Sequence, residues 1–302
     1  MSAPRPNFFI VGAPKCGTSS LHDYLDQHPD VFMSRTMKEP DYFCTDLTIN
    51  EARRKRDLDS YLSLFAKAGH ARRIGESSVW YLFSTVAARN IHRFDPTARI
   101  IIMLRNPIDA AYSLHGQFIW SCNEDILDFA QAIDAEPDRR DGRRIPPTAT
   151  SPDGLQYTRV FSFAEQVQRY LDVFGREQVK IIIFEDFVKD TPAVYRQTLQ
   201  FLDVDDRFVP EFEVVNAAKP VALGLNRFFA ARPTLRNAIH RLVPAEVQRK
   251  LIDALPYVAS TVQRPAKIDP ELRRRLIPRF EADVRRLSEI LGRDLTHWVR
   301  AG

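Results

Sequence analysis

Two glycines separated by four residues punctuate the segment Gly12-Ala13-Pro14-Lys15-Cys16-Gly17-Thr18-Ser19. An apolar run, Asn7 to Gly12, leads into it, and Leu21, Tyr24 and Leu25 follow at helical spacing. Strand, glycine loop and helix in that order form the local unit of a parallel α/β sheet. The unit points the first N–H groups of the helix at the loop, where they favour an anion, phosphate above all. Further β runs are expected at Arg72 to Glu76, Arg99 to Leu104 and Val179 to Phe184. The second contains Ile100-Ile101-Ile102-Met103-Leu104, a continuous apolar run that suits a strand covered on both faces.

Helices with readable ends alternate with these strands. Ser162-Phe163-Ala164-Glu165 reads as a capping box ahead of Val167, Tyr170, Leu171 and Phe174, closed by Gly175. Thr191-Pro192 reads as an N-cap with proline at the first helical position. Asp269-Pro270 opens a last helix with Leu272, Leu276, Phe280, Val284, Leu287 and Leu291 on one face, kinked at Pro278 and stopped by Gly292. The expected fold class is therefore α/β: a P-loop-like three-layer α/β/α sandwich around a central, mainly parallel sheet, forming one domain over residues 1–302. Ligands of such a sheet lie beyond the carboxyl ends of its strands. Residues 123–156, with Pro137, Pro146, Pro147 and Pro152, interrupt the rhythm and predict a functional or mobile insertion. Residues 210–264, broken by Pro220, Pro233, Pro244 and Pro256, read as a second insertion, and both are expected on the acceptor side.

With 302 residues, 44% hydrophobic and 27% charged, the chain can bury a core without disulfide or metal staples. Cys16, Cys44 and Cys122 contain no CxxC pair, which argues for a reducing compartment and against a zinc site. Lys and Arg outnumber Asp and Glu by 43 to 39, and the tail from Arg264 holds that surplus, ten against six. This balance excludes a generic nucleic-acid surface and suits one small polyanionic ligand. The N-terminus shows no basic segment followed by an apolar run, and no apolar stretch approaches the ~18 residues of a membrane span. The expected address is cytoplasmic.

A nucleoside triphosphatase places Lys and Ser/Thr directly after the second glycine, for the terminal phosphates and for Mg²⁺. Here that pair is Thr18-Ser19, and the lysine lies inside the loop as Lys15. The pattern suits a 5′-phosphate held by backbone amides, Thr18, Ser19 and Ser20, with Lys15 over the bond to a transferred group and no metal required. A solvent-facing Lys15 on an ordinary glycine turn is the bland alternative. Arg105 follows the most apolar strand, and Ser113 comes eight residues later, where a strand-end guanidinium and a helix hydroxyl can converge on one anion. A pairing of Arg105 with a core carboxylate fits its position equally.

Together these segments resemble the sulfotransferases that use 3′-phosphoadenosine 5′-phosphosulfate (PAPS), in their carbohydrate, heparan-type and bacterial branches. Residues 14–21 are similar to the family's 5′-phosphosulfate loop, and Arg105-Asn106-Pro107 through Ser113 to its 3′-phosphate loop. Lys38-Glu39-Pro40-Asp41-Tyr42-Phe43, Gly75-Glu76-Ser77-Ser78, Glu185-Asp186-Phe187 and Gly292-Arg293-Asp294-Leu295 with Trp298 follow in family order. The resemblance implies sulfuryl transfer from PAPS to a hydroxyl or amine of a glycan or small molecule, leaving adenosine 3′,5′-bisphosphate (PAP). It assigns Lys15, Cys16, Gly17, Thr18, Ser19, Ser20, Arg105 and Ser113 to the nucleotide. Lys15 is to stabilise the leaving phosphate and Glu39 to act as base, with a surface pairing to Lys38 as the bland alternative for Glu39. Lys38 is to contact acceptor or sulfate, and Glu76, at a strand end, is to orient the acceptor or hold Lys15, with a helix-cap role as its bland alternative. His22, His92 and His115 are rival bases without the matching context. Two departures stand out: Phe163 replaces a frequent tyrosine, and Val262-Gln263-Arg264-Pro265-Ala266-Lys267 replaces Lys-Gly-Arg, with Arg264 and Lys267 as candidate adenine-side contacts. A P-loop kinase-like phosphotransferase and a non-catalytic nucleotide-binding module are the other readings.

Overall fold

The computed structural model describes residues 4–48, 57–212 and 268–300. Arg264 and Lys267, and the 210–264 stretch beyond its first residues, lie outside the described residues. In chain order the elements are β1 (Phe8–Gly12), α1 (Thr18–Leu25), β2 (Val31–Met33), α2 (Leu58–Leu62), β3 (Arg73–Ser77), α3 (Ala87–Phe94), β4 (Arg99–Leu104) and α4 (Pro107–Trp120). They continue with α5 (Phe129–Asp134), α6 (Glu136–Arg140), α7 (Tyr157–Val160), α8 (Phe163–Phe174), β5 (Val179–Ile183), α9 (Phe184–Lys189) and α10 (Thr191–Phe201), and the last described helix is Pro270–Leu291.

The five strands form one sheet in the order β2-β3-β1-β4-β5, and every neighbouring pair is parallel. Residues 100–104 of β4 are fully buried, as the unbroken apolar run requires of a central strand covered on both faces. The chain runs from β1 through β2 to β3 on one side of β1 and then crosses to β4 on the other. The carboxyl ends of β1 and β4 therefore flank a topological switch point, where α/β sheets bind ligands. Strand β2 carries no sequence signal, because three residues are too few to show a period. Among the described residues, no helix is long and apolar enough to cross a membrane.

Two helix caps differ from expectation. Ser162 gives no side-chain cap to α8; its hydroxyl donates instead to the Thr158 carbonyl at 2.8 Å. Asp283 of the last helix accepts from the Phe163 and Ala164 amides at 2.7 and 3.1 Å, so a carboxylate distant in sequence caps α8. Helix α10 is capped by Asp190, which accepts from the Ala193 amide at 3.0 Å, with Thr191 already inside the helix. The last helix follows its pattern. Asp269 caps it, Gly292 ends it in the left-handed conformation, Leu276, Phe280, Val284 and Leu287 are buried, and the helix continues through Pro278.

Residues 123–156 carry packed structure of their own. Glu124 and Arg139 form an ion pair at 2.7 Å with both side chains fully buried. Glu124 also accepts from Tyr157 Oη at 3.0 Å and from the Asp125 and Ile126 amides at 2.9 Å each. A buried charge pair with its lone pairs engaged is costly to disrupt on either side, and it fastens this segment to α7.

Candidate active site

The glycine loop is shaped by close approaches at both ends. A Cβ on Gly12, whose φ is 143°, would lie 2.7 Å from the Val79 carbonyl oxygen and 2.9 Å from Leu82 Cβ. Only glycine lets β1 pass that close to the chain leaving β3. At the other end Gly17, with φ of 89°, is the N-cap residue of α1, and its hypothetical Cβ would meet the Phe184 ring at 3.0 Å. Thr18, the residue directly after Gly17, is buried at the start of the helix.

Three cations meet around this loop. Arg105, one residue beyond β4, donates from Nη1 to the Lys15 carbonyl at 3.2 Å, and its guanidinium lies 4.7 Å from the centre of the Phe184 ring. This contact replaces the core carboxylate that its position also allowed. Lys38 reaches the loop from the segment after β2, donating from Nζ to Ser19 Oγ at 2.7 Å and to Glu39 Oε1 at 3.2 Å. Burial, followed by the Arg105 and Lys38 charges, holds the Lys15 ammonium below its ordinary value, and the Glu39 carboxylate partly opposes this. Lys15, Lys38 and Arg105 thus gather at the N-terminus of α1 with Glu39 beside them, an excess of positive charge that a multiply charged anion would relieve.

Cys16 serves this site only through its main chain. Its thiol is buried, pushed up to about 12 by desolvation, and donates to the Pro14 carbonyl at 3.4 Å. Ser20 is half-buried on α1 and Ser113 half-buried on the second turn of α4. Asn106 caps α4, its Oδ1 accepting from the Ile108 and Asp109 amides at 3.0 and 3.4 Å. Its Nδ2 donates to the Trp298 carbonyl at 3.0 Å, and its own amide donates to Glu185 at 3.2 Å. Asp186 pairs with Arg293. The separate sequence landmarks at 105–107, 185–187 and 292–298 are therefore one structural joint behind Arg105. Nothing in the sequence pattern singled out Phe184 or the cap formed by Asn106.

Glu39 lies on a backbone with unusual torsions: φ is 64° at Glu39 and 53° at Asp41. Its side chain and that of Lys38 are each 28% exposed, so the pair faces the outside of the loop, not the core. Lys38 also borders a polar cavity of about 390 Å³ lined by His22, Asp23, Asp26, Ser34 and Arg35.

Glu76 stands elsewhere than expected. It is 3% exposed, with Oε1 accepting from Ser78 Oγ at 2.6 Å and Oε2 from Tyr61 Oη at 2.5 Å, so its carboxylate neither faces an acceptor nor holds Lys15. Burial pushes it up to about 7. The rival histidines are in structural settings. His22 is buried and lowered to about 4 by desolvation, His115 bonds the Ile126 carbonyl at 2.8 Å, and His92 packs edge-on to Phe174.

Residues 5–215 match the sulfotransferase domain family. Carbohydrate sulfotransferase 15 of Homo sapiens is 24% identical over 305 residues, which cover 82% of this chain and 54% of the human protein. The human bifunctional heparan sulfate N-deacetylase/N-sulfotransferase 2 is 34% identical over 114 residues, 36% of this chain and 12% of that protein. A crystal structure of a sulfotransferase from Alicyclobacillus acidocaldarius superimposes with a TM-score of 0.73 at 34% identity, covering 98% of this chain and all of the other. The chain spans about half the length of the curated relatives it matches over most of its own.

Proposed function

Because this chain belongs to the sulfotransferase family, in which sulfuryl transfer from PAPS is the shared activity, we propose that the cationic site binds that nucleotide and passes its sulfuryl group to an acceptor hydroxyl or amine. One observation carries the reading. Lys15, Lys38 and Arg105 converge at the N-terminus of α1, and a partly exposed carboxylate, Glu39, is bonded to one of them. The donor set suits the ligand, since three cations and a helix N-terminus match a nucleotide phosphorylated at both ends.

In an in-line transfer, negative charge grows on the oxygen bridging phosphate and sulfur while the acceptor loses a proton. Lys15, inside the loop, meets the growing charge, and burial followed by the neighbouring cations lowers its ammonium and so makes it a stronger proton donor. Glu39 takes the acceptor proton, with Lys38 steering its carboxylate from one side and Ser19 fixing Lys38 from the other. Arg105, stacked on Phe184, and Ser113 on α4 hold the 3′-phosphate. The cavity bordered by Lys38 lies beside the residue that is bonded to Glu39, and a glycan is the acceptor class that the carbohydrate sulfotransferase relatives favour.

The test is a labelled-PAPS transfer screen against glycans, phenols and alcohols, read by mass shift, in the wild-type chain and in Lys15→Ala and Glu39→Gln. Sulfated product from the wild type alone supports the reading. Phosphate transfer from ATP with magnesium, and none from PAPS, would replace it with the kinase-like alternative.

A further inference from the structure

The left-handed torsions at Glu39 and Asp41 are costly for residues that carry a Cβ and persist only where the surroundings over-determine them. The structure shows what does so. The Glu39 amide donates to the Ser77 carbonyl at 3.0 Å, the Asp41 amide to Ser78 Oγ at 3.2 Å, and the Phe43 amide to Tyr81 Oη at 3.3 Å. Three alternate amides of the loop are thus fastened to the end of β3 and the turn after it.

Two of those acceptors are hydroxyls, and a hydroxyl has one proton to give. Ser78 gives its proton to Glu76 at 2.6 Å, and Tyr81 also donates to Glu76. With both protons committed inward, the oxygen lone pairs face the Asp41 and Phe43 amides. Tyr61 closes the other side of the carboxyl at 2.5 Å and stacks on Tyr42, whose ring centre is 4.4 Å away. The proposed reaction gives this buried carboxyl no role at the reacting atoms.

We propose that Glu76 is a positioning residue for the transfer reaction: by orienting the hydroxyls of Ser78 and Tyr81 it clamps the loop that presents Glu39. The functional half of this inference rests on the reading of Glu39 as the base; the clamp itself does not.

Per-residue hydrogen exchange in the full chain, read beside PAP affinity and turnover of labelled PAPS, separates the two. Glu76→Leu removes the acceptor from all three hydroxyls. Exchange at the Asp41 and Phe43 amides should quicken at least about tenfold, and turnover should fall about tenfold with PAP affinity unchanged. Glu76→Gln keeps one acceptor oxygen and should recover part of the protection and part of the turnover. Should Glu76→Leu not fold, Ser78→Ala is expected to quicken Asp41 alone and Tyr81→Phe to quicken Phe43 alone. Wild-type exchange at these amides in Glu76→Leu, or in both single-hydroxyl variants, overturns the clamp. A loss of PAP affinity matching the loss of turnover overturns the positioning role. Quickened exchange beside a fully active Glu39→Gln would instead leave the clamp standing and sink the base assignment.

Discussion

The loop of Lys15 and the loop of Glu39 face each other across a few ångströms of hydrogen bonds through Lys38 and Ser19, yet they are built on opposite principles. The Lys15 loop is local: β1, two glycines and α1 are contiguous, and Arg105 adds itself directly from the end of β4. The Glu39 loop has no such element of its own. Its torsions are imposed from β3, from Ser78 and Tyr81, and from a carboxyl buried behind them. A phosphate site can be made from consecutive backbone and a few charges, whereas the carboxylate proposed as base sits on a segment whose shape is borrowed from its neighbours.

The sharpest way to break this division is Glu39→Gln. Turnover of PAPS should fall by about 10²- to 10⁴-fold, with PAP affinity measured by calorimetry at the wild-type value. Equal losses in both would mean that the two loops do not divide their labour. Lys15→Ala should cost about 10²- to 10³-fold in turnover and also weaken PAP binding, because its ammonium serves both the bound phosphate and the charge that grows on it.

The hidden part of the Glu39 loop can be probed through pH. Glu76 stands at about 7 in the folded chain against an ordinary 4.5, so the folded state holds this proton more tightly. The resulting stabilisation is complete below pH 4.5 and is lost as pH rises through 7, by up to about 3 kcal/mol. Urea unfolding of wild type and Glu76→Gln at pH 5 and pH 8 should show the wild type losing more stability than the variant, and parallel losses would contradict the buried carboxyl. The smallest effect belongs to Arg105→Lys, which keeps the charge but forfeits the guanidinium fork and its stacking on Phe184. PAP affinity should drop about tenfold with turnover at saturating PAPS little changed.

The same contrast explains what was legible in the sequence. The parallel sheet and the phosphate loop could be read because apolar runs and glycine spacing are local signals, and Arg105 was placed by the strand before it. Lys38 and Glu39 could be named as residues, but nothing local announces that the backbone turns left-handed at Glu39 and Asp41. Glu76 reads as an acceptor contact or a partner of Lys15 because it lies at a strand end; its burial depends on Tyr61 and Tyr81, which the fold brings in from either side. The Ser162 cap failed for a similar reason, since Asp283 reaches the first amides of α8 from the last helix.

The central claim is that the cation cluster around Lys15 and Arg105 holds both phosphates of the nucleotide while Glu39 stands free of it. A crystal structure with PAP bound, grown without magnesium, tests this most directly. The account predicts the 5′-phosphate against Lys15 Nζ and the first amides of α1, the 3′-phosphate on Arg105 and Ser113, and Glu39 still bonded to Lys38. A bound PAP with Lys15 and Arg105 both remote from its phosphates would contradict it.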